Sequence, residues 1–159
     1  MQEHPNAQRL AEFYAAFDRH DGAAMSTLYA PEARFHDPVF QDLSAGEPAA
    51  MWRMLTARAA DLRVELVDHT ADDAQGHARW IARYPFVQTG RPVVNDVRST
   101  FRFHDGQVVE QRDEFSFYAW SKQALGTTGL LLGWTPLVRG KVQRTARDSL
   151  KAFRQSERA

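Results

Sequence analysis

Two aspartates lie where strand-like patterns place them among apolar side chains. In the stretch RFHDPVF, residues 34–40, a period of two puts Asp37 on the same face as the apolar residues two places before and after it. In QRDEFSF, residues 111–117, Asp113 shares a face with the two following phenylalanines. A carboxylate walled by apolar groups is desolvated, which raises its pKa and makes it a better base near neutral pH. The patterns therefore predict acid–base chemistry by Asp37 and Asp113.

Each aspartate also has a purely structural interpretation. Asp37 precedes Pro38, and Asp-Pro is a common turn pair, so Asp37 could simply end a strand. An arginine from another strand could neutralise Asp113 in a structural ion pair. Three more polar residues fall on the predicted buried faces, where burial of an unpaired polar group costs about 1–3 kcal/mol. These residues are Asn95, Ser99 and Gln111. They could line a cavity that contains several polar groups, or they could satisfy backbone groups at a bulge.

Helices are predicted on both sides of the RFHDPVF strand. Apolar residues at positions 10, 13, 14 and 17 have helical spacing and predict a helix over residues 6–19. A second short helix is expected to end at Pro31. The spacing of Ser44 and Glu47 fits a capping box that opens a helix over residues 46–60.

The second half of the chain predicts a sheet. Four runs alternate apolar and other residues, and Asp105-Gly106 is a hairpin signal between the last two. Short turns between successive strands imply an antiparallel meander. The runs begin near Leu62, Ala78, Val93 and Val109, and the last one extends through Phe117.

The C-terminal segment predicts an amphipathic helix preceded by a flap. The stretch ALGTTGLLLGWTP is apolar and glycine-rich, and apolar residues then recur every three or four places from Trp134 to Phe153. Residues 139–159 carry a net charge of +5, which leaves −5 on the remainder of this neutral chain. We therefore expect the tail to pack on or near the acidic body.

Composition excludes several classes of function. The 159 residues suit one domain, and the equal numbers of acidic and basic residues favour neither nucleic acid nor a membrane as partner. The chain has no cysteine, and its histidines lack the spacing of a helical zinc motif, so neither a metal site nor a cofactor is expected. No apolar run approaches a signal-peptide core or a membrane span, which predicts a cytoplasmic protein.

The order of these elements resembles that of the nuclear transport factor 2-like superfamily. The similarity is carried by AEFYAAFDRHDGAAMSTLYAPEARFHDPVF in the first half and FRFHDGQVVEQRDEFSF at the last two strands. Within the superfamily the chain is similar to the branch of SnoaL-like polyketide cyclases and ketosteroid isomerases. The resemblance implies an α+β fold, a cone-shaped, curved, mostly antiparallel (mixed) sheet wrapped around the N-terminal helices, with an extra C-terminal helix. Its open end would bind a small hydrophobic molecule.

The resemblance also implies roles for single residues. Asp37 matches the aspartate that acts as general base in ketosteroid isomerases. At the positions of their two hydroxyl donors this chain has Phe13, with Tyr14 one place on, and Ser99. Asp113 matches an aspartate that helps to activate water in limonene epoxide hydrolases. Those enzymes also use an arginine and a second aspartate on a neighbouring strand, for which this chain offers Arg83 at best.

We thus predict a barrel domain over residues 1–125, with a flap and basic helix over residues 126–159 packed on it. Asp37 and Asp113 would be catalytic in an isomerase, cyclase or dehydratase that needs no cofactor. A non-catalytic ligand-binding or dimerisation module and an epoxide hydrolase are the alternatives, and lipid attachment through the tail helix is less favoured. A homodimer through the outer sheet face is expected, at Val67, Ile81, Val87, Val94 and Tyr118. The residues predicted to bind the ligand are Phe13, Tyr14, Phe17, Phe35, Trp52, Leu55, Trp80, Tyr84, Asn95, Ser99, Gln111 and Phe115.

Overall fold

The structure is a computed structural model that describes residues 2–159. Helices at both ends of the chain flank a sheet, so the predicted α+β class is confirmed. Within the described residues the elements are α1 (Pro5–Asp18), α2 (Gly22–Ser26), β1 (Tyr29–His36), α3 (Glu47–Arg58), β2 (Arg63–Ala71), β3 (Gln75–Pro85), β4 (Pro92–His104), β5 (Gln107–Glu114), α4 (Phe117–Leu125), α5 (Thr127–Leu132) and α6 (Pro136–Arg158).

The five strands form one mixed sheet in the order β1-β5-β4-β3-β2. Strands β2 to β5 are the predicted antiparallel meander, and β1 joins it in parallel beside β5. The predicted helix end at Pro31 is wrong, because α2 ends at Ser26 and Pro31 lies inside β1. Since β1 is an edge strand, it tolerates a residue that lacks a backbone N–H.

The β4–β5 hairpin fixes which residues face the core. Asp105 and Gly106 both have positive φ, 48° and 78°, as a tight two-residue hairpin turn requires. An irregularity in the pairing follows, so that Val108, not Val109 as predicted, is buried. Beyond it Ser99 pairs with Asp113, which places both on the buried face.

The predicted strand through Phe117 ends earlier. Strand β5 stops at Glu114, and the Ser116 hydroxyl accepts the Ala119 N–H at 3.1 Å as the N-cap of α4. Phe117 and Tyr118 therefore lie on a helix, not on the sheet. The stretch predicted to be a flap is also helical, as the end of α4 and all of α5.

Helix α4 covers the start of β4 along the edge where no strand pairs with it. Strand β5 ends opposite Arg98, so the start of β4 extends past it. Here the Gln123 side chain accepts the Val94 N–H at 2.7 Å and donates to the Val94 carbonyl at 3.1 Å. One amide side chain thus takes the place of a neighbouring strand.

Helix α6 lies against the turn after β1 and against α3. Its Gln143 amide donates to the Pro38 carbonyl at 3.0 Å, and Arg53 on α3 forms a two-pronged ion pair with Glu157. Leu150 is buried on the side that faces the body. The predicted apolar seam begins later than expected, because Trp134 precedes the helix and is 72% exposed.

Candidate functional site

Asp37 is both a turn residue and a buried carboxylate. It follows β1 directly, and its Oδ1 accepts the backbone N–H groups of Val39 at 2.7 Å and Phe40 at 2.6 Å. This is the turn chemistry expected of Asp before Pro. The residue is nonetheless only 9% exposed. The two interpretations from the sequence are therefore compatible, because one oxygen holds the turn while the carboxyl group lies away from bulk solvent.

Asp113 lies on β5 and is 3% exposed. Its Oδ1 accepts the hydroxyl of Ser99 at 2.6 Å and the Nε2–H of Gln111 at 2.9 Å. Both partners are neutral, so these contacts are not the ion pair considered from the sequence. Arg83 is turned to the outside of the sheet, where it donates to Glu65 at 3.1 Å.

Ser99 is oriented toward Asp113 by two donors from other elements. Tyr14 on α1 donates its hydroxyl to Ser99 Oγ at 3.1 Å, and the indole N–H of Trp80 on β3 donates to the same oxygen at 2.8 Å. Because the Ser99 oxygen accepts both bonds, its own proton is directed to Asp113. A chain of hydrogen bonds that starts on α1 and β3 thus passes through Ser99 and ends on one oxygen of Asp113.

Gln111 is oriented in the same way. Its Oε1 accepts the hydroxyl of Tyr29 at 2.5 Å, and the Tyr29 oxygen in turn accepts the indole N–H of Trp52 at 2.6 Å. This fixes the amide of Gln111 with Nε2 toward Asp113. The resulting network is buried and connects α1, α3, β1, β3, β4 and β5 through Asp113.

Burial dominates the electrostatics of both aspartates. Desolvation raises the pKa of Asp113 to about 7, although the hydrogen bonds from Ser99 and Gln111 oppose the rise. It also raises the pKa of Asp37 to about 6 against the two backbone hydrogen bonds. The charge of Asp37 contributes to the raised pKa of Asp113, so the two groups are electrostatically coupled.

The tyrosines near these groups stay neutral. Burial, and then the charge of Asp113, raise the pKa of Tyr14 and of Tyr29 well above the ordinary value. Burial also raises the pKa of Tyr84, with a smaller contribution from Asp37, and the Tyr84 oxygen accepts the indole N–H of Trp120 at 2.8 Å. Around each aspartate the polar neighbours are therefore neutral hydrogen-bonding groups.

One oxygen of each carboxyl group is unoccupied by protein donors. All hydrogen bonds from residues 2–159 to Asp37 and Asp113 end on Oδ1. The Oδ2 atoms are the ones that could accept a proton from, or deliver one to, a bound molecule. Each carboxyl group is thus held in place by one oxygen while the other can react.

Six of the aromatic residues predicted to bind a ligand form a packed cluster, and three of them, Tyr14, Trp52 and Trp80, also belong to this network. Ring centroids lie 5.5 Å apart for Tyr14 and Trp80, 5.1 Å for Phe17 and Trp52, and 5.7 Å for Phe13 and Trp52. Phe35 packs edge-on against Trp52 at 5.6 Å. These side chains form the buried interior beside Asp113.

Other predicted ligand residues lie toward the C-terminal helices. Tyr84 and Phe115 are half-buried between the main core and a second apolar cluster, to which α4 and α6 contribute. The buried members of this second cluster are Val93, Phe117, Trp120 and Ala124. Leu55 is half-buried on α3, and Asn95 is half-buried on β4 opposite Ala82. Neither contributes to the hydrogen bonds around Asp113.

Sequence reasoning missed Tyr29 and Trp120. Tyr29 was assigned to a helix because Pro31 was interpreted as a helix end. Extending the period of two backward from Phe35 through Ala33 would have placed Tyr29 on the buried face. No comparable signal exists for Trp120, since its contact with Tyr84 depends on how α4 folds back.

Space beside the Asp37 turn is small in this structure. A cavity of about 70 Å³ lies between the turn and α6 and is lined by Val39, Phe40, Gln41, Leu43, Glu47, Gln143 and Arg147. A shallower groove of about 270 Å³ crosses β2, β3 and β4 and is lined mostly by polar and charged side chains.

None of the helices in residues 2–159 is both long and apolar enough to cross a bilayer.

Comparison with solved structures finds the same fold in several proteins. A protein with a ketosteroid isomerase-like fold from Catenulispora acidiphila, in complex with trimethylamine, has a TM-score of 0.65 and 15% identity over 81% of this chain and 98% of its own. IdmH from Streptomyces antibioticus, a proposed polyketide cyclase, has a TM-score of 0.64 and 22% identity over 78% and 100%. An LEH-like epoxide hydrolase of M. tuberculosis has a TM-score of 0.62 and 21% identity over 84% and 95%.

These identities establish a common fold and leave the activity of this chain open. No curated protein matches the sequence. The sequence profile of the SnoaL-like domain matches residues 10–111, which is more than half of the chain and includes Asp37, Ser99 and Gln111. The resemblance inferred from the sequence is thereby confirmed, and the chain belongs to the SnoaL-like domain family.

Proposed function

We propose that this chain binds a small apolar molecule and uses Asp37 and Asp113 for proton transfer on it. The reaction would be of the isomerase, cyclase or dehydratase type and would need no cofactor. The observation that carries the proposal is that both carboxyl groups are buried, are held by hydrogen bonds to Oδ1, and have raised pKa values, about 6 for Asp37 and about 7 for Asp113. Buried carboxyl groups with raised pKa values are typical of acid–base sites.

The raised pKa values leave both carboxyl groups partly protonated near neutral pH, so one can act as the base while the other acts as the acid. We assign the base to Asp37, as the resemblance implies, and the acid to Asp113. In the proposed step, Oδ2 of Asp37 removes a proton from the carbon next to a carbonyl group. Oδ2 of Asp113 gives its proton to the carbonyl oxygen, so an enol forms and no net charge develops on the substrate.

The hydroxyl donors argue for Asp113 as the acid. In ketosteroid isomerases two acidic donors stabilise the enolate, but here the Tyr14 hydroxyl donates to Ser99 and the Ser99 hydroxyl donates to Asp113. Neither proton is directed toward a substrate. The carboxyl proton of Asp113 is the remaining donor in this network.

The surroundings favour an apolar substrate. Aromatic rings lie near Asp113 on α1, α3 and β3, and the half-buried Tyr84 lies close enough to Asp37 for the charge of Asp37 to raise its pKa. An apolar molecule would keep water from the carboxyl groups and preserve their raised pKa values. The trimethylamine complex of the Catenulispora protein supports small-molecule binding by this fold.

Epoxide hydrolysis is less well supported. The arginine that the resemblance offered, Arg83, lies on the outer face and is paired with Glu65. The residue directly opposite Asp113 on the neighbouring strand is Ser99, which supplies no second carboxylate. Activation of water by Asp113 would therefore lack the partners that the epoxide hydrolases use.

The test combines ligand identification with variants of both aspartates. Mass spectrometry of whatever co-purifies with the protein would supply a ligand, and deuterium exchange at its carbon next to a carbonyl would measure proton transfer. We expect Asp37→Asn and Asp113→Asn to retain ligand binding and to lose exchange by at least about a hundredfold. Asp61→Asn, at an exposed position before β2, is the matched control and should exchange like the wild type.

Three results would contradict the proposal. Exchange in the wild type no faster than in the free ligand would indicate a non-catalytic binding module, and exchange that persists in both variants would show that neither aspartate transfers the proton. Carboxyl NMR titration that places both aspartates below about 4.5, close to model-peptide values, would show that they do not share a desolvated environment.

A further inference from the structure

A patch of exposed apolar side chains lies at the junction of α5 and α6. Five large apolar residues within eight positions are 47–75% exposed, and we call them the Leu130–Leu137 patch: Leu130, Leu131, Leu132, Trp134 and Leu137. The other large apolar residues that are exposed in the described chain are isolated from one another: Val67 and Val94 lie on strands, and Val87 lies in the turn between β3 and β4. Contiguous apolar exposure of this kind marks a contact surface.

The backbone that carries the patch is firmly held. Gly129 is buried where α5 crosses α4 so closely that a Cβ there would overlap the Ser121 carbonyl oxygen. The Tyr118 hydroxyl donates to the Leu130 carbonyl at 2.9 Å, and the indole N–H of Trp134 donates to the Leu131 carbonyl at 3.1 Å. The apolar side chains are thus displayed outward by an ordered segment.

The charged residues that flank the patch in the sequence are all basic. Between Glu114 and Asp148 the sequence has no acidic residue and five basic ones, Lys122, Arg139, Lys141, Arg144 and Arg147. Leu137, Lys141 and Arg144 follow i, i+4, i+7 spacing on α6 and are all exposed, so the apolar patch continues into a basic stripe on one helix face.

We propose that the Leu130–Leu137 patch binds the surface of an anionic lipid bilayer. The leucines and the Trp134 ring would enter the boundary between headgroups and acyl chains, and Lys141 and Arg144 would bind lipid phosphates. The inner side of α6 is packed on the body through Leu150, so the contact uses the opposite side of the helix and the residues before it. This departs from the expectation of no membrane partner, which rested on the balanced net charge, on the lack of an apolar run that approaches a membrane span, and on the apolar seam by which the tail helix was expected to dock on the body.

Charge complementarity favours lipid over a second copy of the chain. A symmetric contact between two patches would bring the Lys141 and Arg144 side chains of both copies together, without any carboxylate nearer than Asp148 along the helix. An anionic bilayer supplies the missing negative charge. Self-association through the patch is the competing outcome that the test must detect.

The experiment measures binding to vesicles of phosphatidylcholine with and without phosphatidylglycerol. Trp134 is the exposed tryptophan, whereas the other three are at most 6% exposed, so quenching by brominated lipid reports insertion of the patch. We expect binding to the anionic vesicles only, a loss of at least tenfold in Leu131→Asp and Leu137→Asp, and about fivefold weaker binding in each of Lys141→Gln and Arg144→Gln. The controls Ala23→Asp and Arg58→Gln, also at exposed positions, should bind like the wild type.

Several results would overturn the proposal. One is the absence of binding to anionic vesicles at low salt, and another is equal loss in the control variants. A third is a combination of two results: neither the wild type nor any variant binds vesicles, and sedimentation velocity shows a wild-type oligomer that dissociates in Leu131→Asp. That combination would assign the patch to contact with a second copy of the chain. Thermal melts of Leu131→Asp should match those of the wild type, since this side chain is 62% exposed. A matching melt would exclude misfolding as the cause of the lost vesicle binding.

Discussion

Replacing Asp113 by Asn should change how stability depends on pH. The pKa of Asp113 in the folded chain is about 7, against an ordinary value of 3.8, because the carboxyl group is buried. An acid whose pKa is raised by folding stabilises the folded state most when the unfolded chain is also protonated, below about pH 4. That stability is lost as the pH rises to 7, because the unfolded state then releases its proton and the folded state retains it.

The magnitude follows from the same two pKa values. A pKa raised from 3.8 to about 7 corresponds to about 4 kcal/mol of destabilisation once the group is fully ionised. Most of the accessible change, about 2–3 kcal/mol, falls between pH 5 and pH 8. Asn cannot ionise, and its carbonyl oxygen can still accept from Ser99 and Gln111, so the variant should gain stability relative to the wild type over this interval.

The assay is urea unfolding of the wild type and Asp113→Asn at half-unit steps from pH 5 to pH 8. Contributions from other titrating groups largely cancel in the difference between the two proteins. Asp61→Asn, at an exposed position, serves as the control for the substitution itself. If the Asp113→Asn difference is also constant to within about 0.5 kcal/mol, then Asp113 is not a desolvated acid and the reasoning from burial is wrong.

Three further predictions follow from the packing. Ser99→Ala should lower the free energy of unfolding by about 2–3 kcal/mol in urea titrations, because the Tyr14 hydroxyl and the Trp80 indole N–H lose their common acceptor, whereas Ser99→Thr should retain most of the stability. Truncation after Gly126 should lower the melting temperature on the order of 10 °C, since it uncovers the apolar groups on which α6 packs; an unchanged melt would contradict the docking of that helix. Light scattering at micromolar concentration should show a dimer through the outer sheet face, where Val67 and Val94 are exposed, and a monomer alone would refute this interface.

The sequence predicted elements whose signals are local. Helical spacing identified α1, the Asp105-Gly106 pair identified the hairpin, and a period of two put Gln111 and Asp113 on the buried face. Each of these signals lies in residues that are close together in the sequence.

The errors arose where tertiary context decides. Pro31 ends a helix in most settings, but an edge strand accommodates it, and the position of β1 in the sheet is not encoded locally. Phe117 continued an alternating pattern, yet Ser116 starts a helix there. Tyr14 and Tyr29, which help to orient Ser99 and Gln111, lie 85 and 82 positions away from them in the chain, so these roles could not be predicted from spacing.

The contact between Gln123 and Val94 has a consequence for self-assembly. A strand segment with free N–H and C=O groups is a template on which another chain can add a strand. At the start of β4 a single side chain saturates both groups of Val94, so no extended peptide can pair there while α4 is docked. Detachment of α4 would therefore create an adhesive sheet edge as well as uncovering the core, and Gln123→Ala should aggregate faster than its loss of stability alone explains.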